Sequence, residues 1–157
     1  MRRITMVGAV AVLMMMIVGC GEGQANVDEM TGTWEWDAGS SETATCNGNS
    51  SNNNLSGNIN INEGAAADLV VSTDNCNWDF DMSGSDASLV PGQSCEYDAV
   101  VDGHQVTATE NWSSWSMSVT DDNMSLDGSG TLDVEFPDGQ TVNCSTSRSA
   151  SLTRVGH

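Results

Sequence analysis

The sequence predicts an all-β domain, an antiparallel meander of about eight to ten strands that forms a closed or nearly closed barrel. Apolar and polar residues alternate along several segments, and turn-forming residues separate those segments. No segment beyond residue 20 shows the apolar spacing of an amphipathic helix. A two-sheet β-sandwich is the alternative, because it would bury the same alternating faces.

Residues 123–136 form the clearest predicted strand, with apolar residues or glycine at even positions and polar residues at odd positions. The same alternation covers 76–83, 55–62 and 115–119. Gly128 and Gly130 interrupt the longest strand and favour the sharp bending that barrel closure requires. We therefore prefer the barrel to the sandwich.

Polar segments lie between the predicted strands. Asp102-Gly103 and Pro137-Asp138-Gly139 are hairpin-turn sequences. The tract 44–54 is rich in Asn, Ser and Gly and is interpreted as a loop, and residues 20–30 are interpreted as a polar tether. Residues 31–157 are then long enough for a single domain with one core.

The first twenty residues have the layout of an export signal. Two arginines precede an apolar run from residue 6 to residue 18, which is too short for a membrane-spanning helix. The run ends at Ile17-Val18-Gly19-Cys20, which resembles the lipobox of bacterial lipoproteins. An ordinary secretory signal, with Cys20 in a disulfide, is the alternative.

The lipobox resemblance implies that residues 1–19 are removed and that Cys20 carries the lipid. A multiply acylated cysteine holds a protein firmly at a membrane. Gly21, rather than Asp, follows Cys20, which resembles the outer-membrane sorting class of these lipoproteins. We therefore expect a lipid-anchored cell-envelope protein at the outer membrane; the face it occupies stays open.

The mature chain is strongly acidic. It keeps two arginines, Arg148 and Arg154, against 22 acidic residues, a formal charge of −20, and it has no lysine. This charge repels nucleic-acid phosphates, so we expect no nucleic-acid partner. We expect the negative charge either to keep the surface solvated or to attract cations or basic partners.

Four cysteines remain besides Cys20, and an exported protein is expected to pair them as two disulfides. Four cysteines allow three connectivities. Chain order favours Cys76 with Cys95 and Cys46 with Cys144. Zinc is the competing interpretation, but the chain lacks a CxxC pair and has only two histidines.

Gly32-Thr33-Trp34 resembles the G-x-W motif that opens lipocalin-type barrels. The resemblance implies that Trp34 plugs one end of the barrel and that an arginine of the last strand packs over it. Arg148 shares the inward phase of the last segment and is our candidate for that arginine.

The five tryptophans suggest either a ligand pocket or a core. Alternation places Trp34, Trp36, Trp78 and Trp115 on buried faces, whereas Trp112, beside two serines, is expected to be the most exposed. Neither His104 nor the paired carboxylates form a recognisable catalytic motif, and we expect no enzyme, cofactor or metal site.

From these observations we expect a binding module for a small apolar ligand or for another envelope component. A structural or shielding lipoprotein without a ligand is the alternative, and a carboxylate-based hydrolase is a weaker one. A ligand-lined cavity would favour binding, and a solid core would favour the structural role.

Overall fold

The computed structural model describes residues 27–101 and 103–156, so the predicted signal, Cys20 and most of the tether lie outside the described residues. A helical turn at 27–30 precedes eleven strands. No helix in these two ranges is long and apolar enough to cross a bilayer. The strands are β1 Gly32–Trp36, β2 Ser41–Cys46, β3 Asn49–Asn54, β4 Asn58–Glu63, β5 Leu69–Ser72, β6 Asn77–Ser83, β7 Asp86–Leu89, β8 Ser94–Val101, β9 His104–Thr120, β10 Asn123–Glu135 and β11 Thr141–Gly156.

Eight of the strands close into an antiparallel barrel. The order is β1-β4-β5-β6-β7-β9-β10-β11, and β11 pairs back onto β1. Closure leaves this ring without a free edge, which buries one face of every strand. The predicted barrel is confirmed, and the sandwich is not formed.

The other three strands build a sheet that extends beyond the barrel. β9, β10 and β11 are 17, 13 and 16 residues long, and their outer halves pair with β8 on one side and with the β2–β3 hairpin on the other. We call β8-β9-β10-β11-β2-β3 the extension sheet. The chain therefore departs from a simple meander at the β2–β3 hairpin and at β8.

Large side chains fill the barrel interior. The indoles of Trp78 and Trp112 and the Phe80 ring pack edge-on or tilted around Trp115, with ring centroids 5.3 to 6.1 Å apart. Side chains from all eight barrel strands and from the helical turn complete the core. Its largest fully buried members are Trp34, Trp78, Trp115, Phe80, Met30, Ile61, Leu69, Met117, Met124, Leu126, Leu152 and Val71.

The folded domain begins earlier than the predicted boundary at residue 31. Val27 and Met30 lie in the core, and the Trp34 Nε1 donates a hydrogen bond to the Met30 carbonyl at 2.9 Å. Two apolar residues in a short polar stretch give no periodic signal, so the sequence did not reveal this turn.

The predicted loop at 44–54 is wrong: most of it belongs to the β2–β3 hairpin. Every residue of β3 is exposed, because β3 is an edge strand with solvent on both faces, and it therefore lacks alternation. Asn47 and Gly48 connect the two strands with φ of 51° and 79°. An Asn-Gly pair in this conformation is a hairpin-turn signal that was present in the sequence.

Both favoured cysteine pairings lie at disulfide distance. Cys46 and Cys144 face each other in the β2–β11 register, and Cys76, which directly precedes β6, is linked to Cys95 in β8. The first pair holds the β2–β3 hairpin to β11, and the second holds β8 to the barrel. Each pair thus ties one side of the extension sheet to the rest of the fold.

Candidate functional site: a cleft at the open end of the barrel

One end of the barrel is sealed by the helical turn and by Arg154. The Arg154 guanidinium lies 4.3 Å from the centroid of the Trp34 ring and donates to the carbonyls of Thr31, at 2.7 Å, and Glu29. It also forms an ion pair with Asp122 at 3.4 Å. We call this the sealed end.

The arginine that packs over Trp34 is therefore Arg154, and the predicted pairing with Arg148 is wrong. Both arginines lie at even positions of β11, so alternation alone does not distinguish them. Strand register does, because Trp34 pairs with Arg154 across the β1–β11 ladder.

The opposite end, which we call the open end, carries a cleft with a volume of about 300 Å³. The cleft lies between the end of β1, the segments 55–59 and 73–76, and the start of the extension sheet. Its aromatic and charged lining residues are Trp36, Tyr97, Asp74, Glu110 and Arg148. Trp36 and Tyr97 are half-buried, and both pack against the core.

A β-bulge places two indoles behind the lining residues of this cleft. Gly128 pairs with Trp115 and Gly130 pairs with Trp112, so the register shifts at Ser113. The extra residue puts both indoles on the same face, although their numbers differ in parity. Trp112 is consequently only 4% exposed, and its predicted exposure is wrong.

Gly128 lets an arginine meet the two indoles. Trp115, Gly128, Arg148 and Glu42 follow one another across β9, β10, β11 and β2. Because the glycine has no side chain, the Arg148 guanidinium reaches to 4.8 Å from the Trp112 centroid and 4.9 Å from the Trp115 centroid. Cation–π attraction is strongest when the cation is partly desolvated, as here, where the Arg148 side chain is 10% exposed.

Glu42 neutralises Arg148 from the other side. The Arg148 Nε donates to the Glu42 Oε2 at 2.9 Å, and a second bond to the same oxygen comes from Nη2. The Glu42 side chain is 17% exposed, so this ion pair is shielded from most of the solvent. The pair fixes the guanidinium against the indoles.

Glu110 is held by two uncharged donors. The Tyr97 hydroxyl donates to its Oε1 at 2.9 Å, and the Trp112 Nε1 donates to its Oε2 at 3.2 Å. Burial raises the pKa of Tyr97, and the nearby Glu110 charge raises it further. Tyr97 therefore remains a neutral donor that orients the Glu110 carboxylate.

The cleft carries an excess of negative charge. Arg148 is its one cation among the described lining residues and is paired with Glu42, whereas Glu110 and Asp74 form no ion pair within the described chain. A half-buried carboxylate with only neutral donors attracts a further cationic partner.

Three residues of the site, Glu42, Tyr97 and Glu110, were not predicted from the sequence. A signal existed for Glu110, which follows Val106 and Ala108 in the inward phase of β9 and is an acid on an otherwise apolar face. Glu42 was hidden because its strand continued into the tract interpreted as a loop. Tyr97 shares the half-buried face of β8 with Cys95 and Ala99 and has no further distinguishing signal.

His104, considered for catalysis, is exposed at the start of β9 and does not line the cleft. Within residues 27–101 and 103–156, no three His, Cys, Asp or Glu side chains are grouped to hold a metal ion.

No protein-family model, curated protein or solved structure matches the chain significantly.

Proposed function

We propose that this chain is a lipid-anchored cell-envelope binding module whose ligand occupies the cleft at the open end. The observation that carries the proposal is the lining of that cleft, in which two half-buried aromatic rings stand beside an oriented carboxylate. Ligand sites combine apolar surface with a few fixed polar groups in this way.

The packing of the barrel favours this cleft over the interior as the binding site. The barrel axis is occupied by indoles, Phe80 and methionines that are less than 2% exposed. A ligand inside the barrel would have to displace several of these side chains, each at a cost of about 1.5–3 kcal/mol of lost burial. Of the two ligand types expected from the sequence, the small apolar molecule within the barrel is therefore the less favoured.

The position of the chain start also suits the proposal. The chain enters the domain at the sealed end, and residues 21–26 span at most about 20 Å when extended. If Cys20 carries the lipid, the sealed end is held near the membrane. The open end and the extension sheet then point towards the surrounding compartment, where a ligand or partner is accessible.

Calorimetric titration of the purified protein with four probes tests the proposal. The probes represent four ligand classes: choline, N-acetylglucosamine, citrate and dodecanoate. We expect saturable binding of at least one probe, and we expect Trp36→Leu to weaken it by about tenfold or more, since it removes an aromatic wall of the cleft. Val155→Ala, which trims an exposed apolar side chain near the sealed end, is the matched control and should leave affinity unchanged.

Two results would count against a ligand in this cleft. Equal weakening by both substitutions, or by neither, would place binding elsewhere. The absence of saturable binding for all four probes would favour the structural or shielding role, with which the filled barrel is also compatible.

A further inference from the structure

We infer that the cleft binds an alkylammonium cation, which it recognises through Glu110 and the aromatic rings of Trp36 and Tyr97. The inference rests on the proposed function and specifies the ligand class. Its first support is charge: an acidic chain places two carboxylates, Glu110 and Asp74, around one cleft, and neither forms an ion pair with any residue in 27–101 or 103–156.

The second support is that the cleft wall already holds one cationic side chain against aromatic rings and a carboxylate. In its wall the Arg148 guanidinium lies over two indole faces and contacts one carboxylate. A ligand cation beside Trp36, Tyr97 and Glu110 would have the same kinds of neighbour. Aromatic faces combined with a carboxylate stabilise alkylated ammonium groups, because the methyl groups contact the rings while the charge is balanced.

The third support is that Glu110 is already positioned. Its two oxygens accept from the Tyr97 hydroxyl and the Trp112 indole, so the carboxylate loses little freedom when a ligand arrives. Preorganised groups contribute more to affinity than groups that must be ordered on binding. Both donors are uncharged and leave the negative charge available to the ligand.

The positive charge of Arg148 in the cleft wall does not prevent a cation from binding. Arg148 would repel a cation if it were free, but its guanidinium is paired with Glu42 and both side chains are largely buried. An anionic ligand would have to displace Glu42 to reach Arg148. A neutral ligand would leave the Glu110 charge without compensation.

The test compares choline with 3,3-dimethylbutan-1-ol, which has the same shape without the charge. We expect choline to bind at least about tenfold more tightly than the neutral alcohol. Glu110→Gln should weaken choline binding by about tenfold, whereas Glu96→Gln should have little effect. Glu96 is an exposed residue of β8, so this control removes one charge of the same kind outside the cleft.

A second variant covers the chance that Glu110→Gln unfolds the protein, since glutamine cannot accept both hydrogen bonds. Asp74→Asn changes an exposed side chain at the rim, should leave the melting temperature unchanged and should weaken choline binding by about threefold. Equal affinity for choline and the neutral alcohol would overturn the inference, as would equal weakening by Glu96→Gln and Glu110→Gln.

The remaining outcomes separate this inference from the proposed function. If N-acetylglucosamine, citrate or dodecanoate binds in a Trp36-dependent way and choline does not bind, the inferred cation specificity is overturned but the cleft is still a binding site. If a lysine-rich peptide binds and choline does not, the ligand is a basic polypeptide and the inference of a small alkylammonium ligand is overturned. No binding of any probe would remove the proposed function as well.

Discussion

Trp34 and Arg154 are direct partners across the β1–β11 ladder, and the guanidinium of the arginine covers the indole ring at 4.3 Å. The pair closes the seam of the barrel, where its first and last strands meet. Arg154 also holds the helical turn in place, because it donates to the Glu29 carbonyl within the turn and to the Thr31 carbonyl just after it.

Arg154→Ala should therefore lower the free energy of unfolding by about 3 kcal/mol, since it removes the stacking on Trp34 together with charged hydrogen bonds to a part-buried carbonyl and an exposed one. Urea denaturation followed by tryptophan fluorescence measures the change. Asp122→Asn is the control, and it should cost less than about 1 kcal/mol because the Asp122 side chain is 77% exposed. An equal decrease of the free energy of unfolding in the two variants would show that the stabilisation comes from the surface ion pair and not from the contacts of Arg154 at the sealed end.

Gly128→Ala should disturb the packing of the indoles that lie behind the cleft. A Cβ at this position would lie 3.2 Å from the Trp112 ring and 3.2 Å from the Ser114 carbonyl oxygen. We expect a loss of about 1–3 kcal/mol from overpacking and a changed near-ultraviolet circular dichroism spectrum, because the indoles must shift. Ser125→Ala, at an exposed site of the same strand, should stay within about 0.5 kcal/mol. An unchanged spectrum for Gly128→Ala would contradict the close packing around this glycine.

Tyr97 offers a direct test of the site electrostatics, because it is the only tyrosine in the chain. Its pKa is raised by burial and by Glu110, so the neutral phenol is the form that the fold favours. The resulting stability is fully present below the ordinary tyrosine pKa, near 10, and is lost as the pH rises through the higher folded-state pKa. An ultraviolet absorbance titration should show tyrosinate forming above the range of a free tyrosine, or forming together with alkaline unfolding.

Glu110→Gln should bring the Tyr97 titration closer to that of a free tyrosine, because it removes the negative charge beside the phenol. Glu96→Gln is again the matched control and should leave the titration in place. Ordinary titration of Tyr97 in the folded native protein would be incompatible with the Tyr97–Glu110 contact.

The barrel was predictable from sequence because most of its strands bury one face only. In β10, Met124 and Leu126 alternate with serine and aspartate, and the strand begins and ends close to the predicted bounds. The hairpin turn at 137–139 was equally visible. In such segments the alternation of apolar and polar residues shows directly which side chains face the core and which face solvent.

Several residues were not predicted correctly because alternation is lost at β-bulges and in strands with solvent on both faces. The bulge at Ser113 shifts the parity of Trp112, so its burial cannot be read from position alone. β3 has solvent on both faces and shows no period. The choice between Arg148 and Arg154 depends on the β1–β11 register, which is a long-range property that local pattern does not contain.

The anchor remains a prediction from the first twenty residues, and intact mass spectrometry of the native protein tests it. We expect a chain that begins at Cys20 and carries added acyl mass, since the lipobox places the cut before this cysteine. Reduction should add the hydrogens of two disulfides, Cys46–Cys144 and Cys76–Cys95. A chain beginning at Cys20 without acyl mass, or one that keeps the leader, would contradict the lipid anchor.

Fluorine NMR of protein labelled with 5-fluorotryptophan tests the central claim, the binding cleft at the open end, most directly. The chain has five tryptophans, and only Trp36 lines the cleft, while Trp34 lies at the sealed end. With choline, N-acetylglucosamine, citrate and dodecanoate added separately, we expect at least one probe to shift the Trp36 signal while the Trp34 signal stays in place. A Trp36 signal that no probe moves, or a larger shift of Trp34 than of Trp36, would contradict a ligand site at the open end.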